Sequence, residues 1–370
     1  MLKPSINVTQ PSMPPLEEFN KYLKEIWQNK WLTNSGKFHN QLEESLADYL
    51  GVKYLSLVSN GTLSLIAAIH TLEKKGEVIT TPFSFVATTH ALNFLGIKPV
   101  FVDIEPGTCN INPEKIEAAI TTETAAILPV HIFGNPCKVK EIQKIADKYH
   151  LPVIYDACQA FGVEQDGNSI LNFGDLSVLS FHATKVFSTF EGGAVISHNA
   201  ETKKRIDHFI NFGIEDEVTC NSLGINGKLN EIQSAFGLLK LKYIDEETEQ
   251  RKRLAQLYTE LLQGTAGITI VNTPTEVKSN YYAFPVLIDP KLFGSTRDQL
   301  FNKLRANGIL VRRYYYPLIS NTNVYNGLPS AQPENLPVAN KVASQIICLP
   351  IYPDLDHQTV CQICNLIMGK

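Results

Sequence analysis

Lys185 sits in SVLSFHATKVFSTFEGG (Ser177–Gly193), just past an apolar run that reads as a buried strand. A lysine there is partly desolvated, which lowers its pKa and frees an amine nucleophile. About 30 residues upstream a second such run, PVIYDACQAFG, ends on Asp156. An amine and a carboxylate at the ends of two neighbouring strands suit pyridoxal phosphate. The amine can hold the aldehyde as a Schiff base, and the carboxylate can keep the pyridine nitrogen protonated. By residue type alone, Asp156 serves equally well as the N-cap of a following helix.

Other residues gain meaning only beside this pair. SNGTLSL (Ser59–Leu65) joins a strand to a helix start, where free N–H groups and the helix dipole favour phosphate. Gly61 permits close approach and Thr62 adds a hydroxyl, although Asn60 or Thr62 as an ordinary cap is the commoner use. Gln159 can reach the ring held by Asp156. Phe85 can stack on a planar cofactor, but most such phenylalanines are core. Ser180 can offer a hydroxyl to phosphate, but buried serines more often bond to backbone. His131 reads as structural. Cys361 and Cys364 form CQIC, yet they share a helical stripe with Val360, Ile363 and Ile367 and have no second pair, so packing explains them. Arg312, Arg313, Tyr314, Tyr315 and Tyr316 form a run suited either to a diphosphate and a base or to a solvated strand edge.

These residues need a scaffold that presents strand ends. Seven apolar runs supply it: 54–58, 77–81, 99–104, 125–130, 152–156, 176–181 and 193–197. Helical patterns alternate with them at 62–72, 86–95, 113–119 and 139–149. Continuous apolar strands between helices predict an α/β domain with a mostly parallel sheet, whose ligands gather at strand carboxyl ends. An amphipathic helix precedes them, with Phe19, Leu23, Ile26 and Trp27 on one stripe. A long helical stretch over 230–262 follows, then the segment 281–288 and helices near 296–307 and 356–368. Residues 1–250 are expected to form a large domain and 251–370 a smaller one.

The 370 residues allow two domains, and 33 basic against 37 acidic residues leave no basic block to bind nucleic acid. Seven scattered cysteines suggest free thiols in a reducing cytoplasm. Prolines near the start argue against a signal peptide, and no apolar run reaches membrane-spanning length.

The chain resembles the DegT/DnrJ/EryC1/StrS family of PLP-dependent sugar aminotransferases. The resemblance runs from WLTNSGKFHNQLEESLADYLGVKY through SNGTLSL, TPFSFVATTHAL, ILPVHIFGNPCKVKEIQKIADKYHLPVIYDACQAFG and SFHATKVFSTFEGGAV to LPIYPDLD. It implies the type I, aspartate aminotransferase-like fold, with a large domain built on a mostly parallel seven-stranded sheet and a smaller C-terminal α/β domain. Lys185 would carry the Schiff base and shuttle the proton. Asp156 would pair with the pyridinium nitrogen, and Gln159 would sit near the ring hydroxyl. Gly61, Thr62 and Ser180 would hold the phosphate, and Phe85 would stack on the ring. GINGKLNEIQSAFG would complete the neighbouring subunit's site, with Asn226 reaching its phosphate across a homodimer interface. Lys228 stands where arginine is usual, and Cys158 where alanine is.

The resemblance further implies L-glutamate as amino donor and a nucleotide-linked keto sugar as acceptor. SFHATK with FEGG is similar to members that aminate C4, giving dTDP-4-amino-4,6-dideoxy-D-glucose for a surface polysaccharide such as O-antigen. Lys228, Arg312, Arg313, Tyr314 and Tyr315 are candidates for substrate contact. Amination at C3 and a non-catalytic sugar-nucleotide sensor are the alternatives. Relatives that dehydrate sugars replace the lysine with histidine, and a nicotinamide enzyme would need a GxGxxG that is absent after the first strand.

Overall fold

Five of the strands around the expected site run parallel because helices return the chain across the sheet between them. In the computed structural model, which describes residues 5–271 and 273–369, Thr124–Leu128, Glu77–Thr80 and Lys98–Phe101 pair in parallel. Ile154–Asp156 pairs in parallel with Leu176–Ser180. Gly193–Ser197 lies antiparallel between Leu176–Ser180 and Tyr54–Val58. Bridges Ile127–Val153 and Val130–Asp156 join the two groups into one seven-stranded layer. Ile154–Asp156, Leu176–Ser180 and Gly193–Ser197 are buried along their whole length, as the unbroken apolar runs require.

Helix starts follow local chemistry. Asn60 accepts from Leu63 N–H at the head of Gly61–Thr71. Asn112 caps Pro113–Ala119, whose first residue is proline. Thr296 and Gln299 form a reciprocal capping box on Arg297–Ala306.

The single helix expected over 230–262 is two, Glu231–Leu241 and Ile244–Leu262. The acidic run Asp245, Glu246 and Glu247 is the signal of the second N-terminus. Residue 250 falls inside that second helix. Ile244 packs with Leu42, Leu55 and Phe187 in the core under the main sheet. Leu254, Tyr258 and Leu262 pack with Phe284, Leu300 and Ile363 in a second core. That second core is covered by an antiparallel sheet of Ile268–Ile270, Phe284–Ile288 and Ile346–Leu349. A third apolar cluster draws Phe83, Phe101 and Phe133 from one part of the chain and Tyr315, Tyr325 and Ile346 from the other.

The first helix, Leu16–Asn29, departs from its expected stripe. Ile26 is buried and Phe19 meets Phe236 edge-on at 5.5 Å, but Trp27 is 68% exposed. One residue further round the helix from Ile26, Trp27 turns outward, on the same stretch of chain as the exposed Trp31 and Leu32.

Candidate active site

The loop carrying Lys185 is held by its own aromatic residues. Phe181 and Phe187 meet edge-on at 5.0 Å, and Phe187 stacks on Phe161 at 4.6 Å, all three buried. Lys185 N–H donates to the His182 carbonyl, and Phe181 N–H to the Gly192 carbonyl. His182 Nδ1 lies 2.8 Å from Thr184 Oγ1. The loop is therefore closed at both ends, and the Lys185 side chain is directed towards Tyr282, with Nζ 5.0 Å from the ring centroid.

Lys185 does not behave as expected for a desolvated amine. Burial, the largest influence, does work against the ammonium. The Tyr282 phenol, the Cys158 thiol and the Asp156 carboxylate together outweigh it, so the group titrates above the usual lysine range. In the protein alone the lysine is an ammonium.

Asp156 ends its strand only 4% exposed. Its Oδ2 accepts from Thr88 Oγ1 at 2.8 Å, and its Oδ1 from Cys158 N–H at 3.1 Å. Thr88 Oγ1 in turn lies 3.0 Å from Ser84 Oγ. The carboxylate thus has two neutral donors and no salt-bridge partner among the described residues. A buried carboxylate so placed suits a cationic ring nitrogen. Gln159 Oε1 accepts from Phe133 N–H at 2.8 Å, which fixes the side chain.

At the end of the first strand, Leu63 and Ser64 N–H are taken up by Asn60. The N–H groups of Gly61 and Thr62 have no acceptor among the described residues, at the positive end of an eleven-residue helix. A Cβ on Gly61 would meet Ser180 Cβ at 2.8 Å and Oγ at 3.0 Å. Only glycine lets the two chains approach this closely, and the approach sets the Ser180 hydroxyl beside the free N–H groups. Phe85 is not core: it is 63% exposed, just before the helix Ala87–Phe94 that carries Thr88. An amine, a buried carboxylate, an anion cradle and an uncovered aromatic ring fit pyridoxal phosphate.

A family model described as the DegT/DnrJ/EryC1/StrS aminotransferase family matches residues 16–368. The chain belongs to this family. It is 53% identical over 367 residues to the dTDP-4-amino-4,6-dideoxy-D-glucose transaminase of Escherichia coli, covering 99% of each chain. It is 50% identical to the enzyme of the same name from Shigella dysenteriae, again over 99% of each chain. Among solved structures, DesI in the presence of its TDP-sugar product matches with a TM-score of 0.95 at 31% identity, covering 100% of this chain and 93% of that one. Helicobacter pylori PseC, an aminotransferase of pseudoaminic acid biosynthesis, matches with a TM-score of 0.92 at 30% identity, covering 99% of this chain and 98% of that one. The α/β fold is the one that these two solved structures share.

The remaining candidates divide by surroundings. Asn226 is exposed and bridges Asn211 through its backbone. Lys228 Nζ donates to Asn211 Oδ1 at 2.8 Å and lies 4.8 Å from the Phe212 ring centroid, and burial lowers its pKa. Arg312 is exposed, and its backbone pairs with Cys348. Arg313 is occupied by Asp298 at 2.8 Å and by the Phe301 and Tyr316 rings. Tyr315 is buried, stacked on Phe133 and edge-on to Phe83. Tyr314 lines a small cavity with Thr184, Tyr282, Val8, Thr9 and Ile351. Of the arginine–tyrosine run, Tyr314 shares this cavity with the lysine loop.

Sequence reasoning did not single out Thr88, Asn280 or Tyr282. Thr88 stands three residues after Phe85 in the segment that the resemblance covers, so helical spacing could have placed its hydroxyl. Tyr282 comes from the far part of the chain, and no local pattern connects it to Lys185.

Proposed function

We propose that this protein is a PLP-dependent aminotransferase that moves the amino group of L-glutamate to C4 of dTDP-4-keto-6-deoxy-D-glucose, giving dTDP-4-amino-4,6-dideoxy-D-glucose. The observation that carries this reading is the 50–53% identity, over 99% of both chains, to two enzymes of that name. The site geometry supports it. Pyridoxal phosphate, when bound, supplies an electron sink that acidifies the carbon bearing the amino group.

The chain's residues then have separate tasks. Asp156 holds a proton at the ring nitrogen, steadied by Thr88 and Cys158 N–H. The N–H groups of Gly61 and Thr62, with the Ser180 and Thr62 hydroxyls, bind the phosphate. Phe85 covers one face of the ring, and the Gln159 amide faces its hydroxyl. Lys185 would hold the aldehyde, and its freed amine would take the proton from the glutamate α-carbon and, in the second half, give a proton to C4 of the sugar.

A homodimer completes the reading. Asn226 is exposed on its own chain, as a residue serving the partner's phosphate site should be. The exposed apolar residues Trp27, Trp31, Leu32, Phe212 and Leu223 are of the kind a partner covers. Lys228, Arg312 and Tyr314 are the substrate contacts that the surroundings favour. The division into residues 1–250 and 251–370 stands as a proposed boundary within the helix Ile244–Leu262. All seven cysteines are free thiols, which fits a cytoplasmic enzyme supplying O-antigen assembly. Among the described residues no helix is long and apolar enough to cross a membrane.

The test is the absorbance of the purified protein. A visible band that bleaches with L-glutamate and returns with dTDP-4-keto-6-deoxyglucose is the expected result. Bleaching without return overturns the sugar assignment. The lack of any band after pyridoxal phosphate is added overturns the enzyme assignment.

A further inference from the structure

Lys185 is an ammonium while it carries the proton between carbons, once in each half of the proposed reaction. Where that ammonium rests then decides whether it can reach the carbon it must protonate. Its Nζ lies over Tyr282, 5.0 Å from the ring centroid, within the range in which an aromatic face attracts an ammonium.

Tyr282 is not part of the lysine's own loop. Its backbone N–H donates to Asn280 Oδ1 at 3.1 Å. Buried Asn280 donates through Nδ2 to the carbonyls of Gln159 at 2.9 Å and Phe161 at 3.0 Å. Gly134, at φ +81°, leaves the space for this contact, since a Cβ there would meet Asn280 Oδ1 at 2.8 Å. Tyr282 is thereby registered to the loop after Asp156, the loop that also carries Gln159. It shares one cavity with Thr184, the residue before Lys185.

We propose that Tyr282 is a positioning residue: its ring holds the displaced, protonated Lys185 in register with the Asp156–Gln159 end of the site. The inference rests on the aminotransferase reading above. It assigns the positioning to the ring face over which Nζ lies, while the phenol shares with Cys158 and Asp156 in keeping the group charged. It also explains why a residue from the far part of the chain, packed against the first core, is tied through Asn280 to the loop after Asp156.

The experiment compares Tyr282→Phe and Tyr282→Leu holoenzymes in the glutamate half-reaction, followed by bleaching of the visible band with ordinary and α-deuterated L-glutamate. Tyr282→Phe keeps the ring and is expected to stay within about threefold of the wild-type rate. Tyr282→Leu is expected to lose about 10²-fold at saturating glutamate with little change in the half-saturating concentration. Its deuterium isotope effect is expected to rise, because proton transfer by a misplaced amine becomes the slow step. A Tyr282→Leu protein that bleaches at the wild-type rate overturns the inference. So does one that is slow with an unchanged isotope effect, because the ring's part is then merely structural. Loss of rate equally in Tyr282→Phe moves the role to the hydroxyl and overturns it as stated. If wild-type protein itself does not bleach with glutamate, the functional reading fails and takes this inference with it.

Discussion

Thr88 Oγ1 donates to Asp156 Oδ2 at 2.8 Å, which joins the helix following Phe85 to the strand end that carries the buried carboxylate. With Cys158 N–H on the other oxygen, this bond fixes the plane of the carboxylate. Both donors leave its charge unneutralised, and that is what makes it a partner for a cationic ring. Thr88→Val keeps the shape and removes the donor. A hydrogen bond to a charged group contributes about 1.5–3 kcal/mol. We therefore expect pyridoxal phosphate affinity to fall by roughly 10- to 100-fold, measured by absorbance titration of the apoenzyme. Thr88→Ser should restore most of it, and a Thr88→Val protein with unchanged affinity would separate Thr88 from the site.

Gly61 and Ser180 are in closer contact than any side chain on residue 61 permits. Gly61→Ala should push the two strand ends apart, at a cost of about 1–3 kcal/mol in stability and with weaker cofactor uptake. Ser180 Cβ is the nearest obstacle, so the double variant Gly61→Ala, Ser180→Gly should regain thermal stability relative to the sum of the single changes. Strict additivity in melting experiments would show that the clash is relieved elsewhere.

Most of this scaffold is legible in the chain because buried parallel strands have to be apolar throughout. Tyr54–Val58 and Gly193–Ser197 match their expected ranges, and Lys185 and Asp156 fall at the two neighbouring strand ends where the apolar runs stop. What was not legible depends on distant pairing. Ile268–Ile270 and Ile346–Leu349 are short segments whose register is set only by Phe284–Ile288 lying between them. Tyr282 meets Lys185 across about a hundred positions of sequence, which no local periodicity can encode. The lysine's titration was misread for the same reason. Burial was visible in the flanking apolar residues, but the opposing Tyr282, Cys158 and Asp156 come together only in the fold.

Asn226 and Lys185 belong to different active sites if the proposed dimer shares its sites. Lys185→Ala should abolish the reaction, by ~10⁴-fold or more. Asn226→Ala is expected to weaken cofactor phosphate binding and lower activity at limiting pyridoxal phosphate. Co-refolding the two variants in equal amounts should generate mixed dimers with one intact site each. Recovery of about a quarter of wild-type activity is expected from random pairing in a two-fold assembly. No recovery beyond the Asn226→Ala contribution would place both residues in one chain's site.

His131 ties acid stability to the strand that precedes Asp156. It is fully buried and stacked on Tyr155 with ring centroids 4.6 Å apart, and its Nδ1 accepts from Cys137 N–H at 3.0 Å. Its Nε2 has no partner among the described residues. Burial lowers its pKa from 6.5 to about 3. The folded state therefore holds it neutral while the unfolded chain takes up a proton below pH 6.5. The sign follows: this contribution is fully present above pH 6.5 and is lost progressively as pH falls towards 3. Between pH 7.5 and 5 the loss amounts to about 2 kcal/mol. Urea unfolding at the two pH values should show it, with His131→Gln, which keeps an acceptor for Cys137 N–H, losing most of this pH dependence. Equal pH dependence in the variant would assign the acid sensitivity to other groups. The measurement should be made on apoenzyme, because bound cofactor adds its own linkage to the folded state.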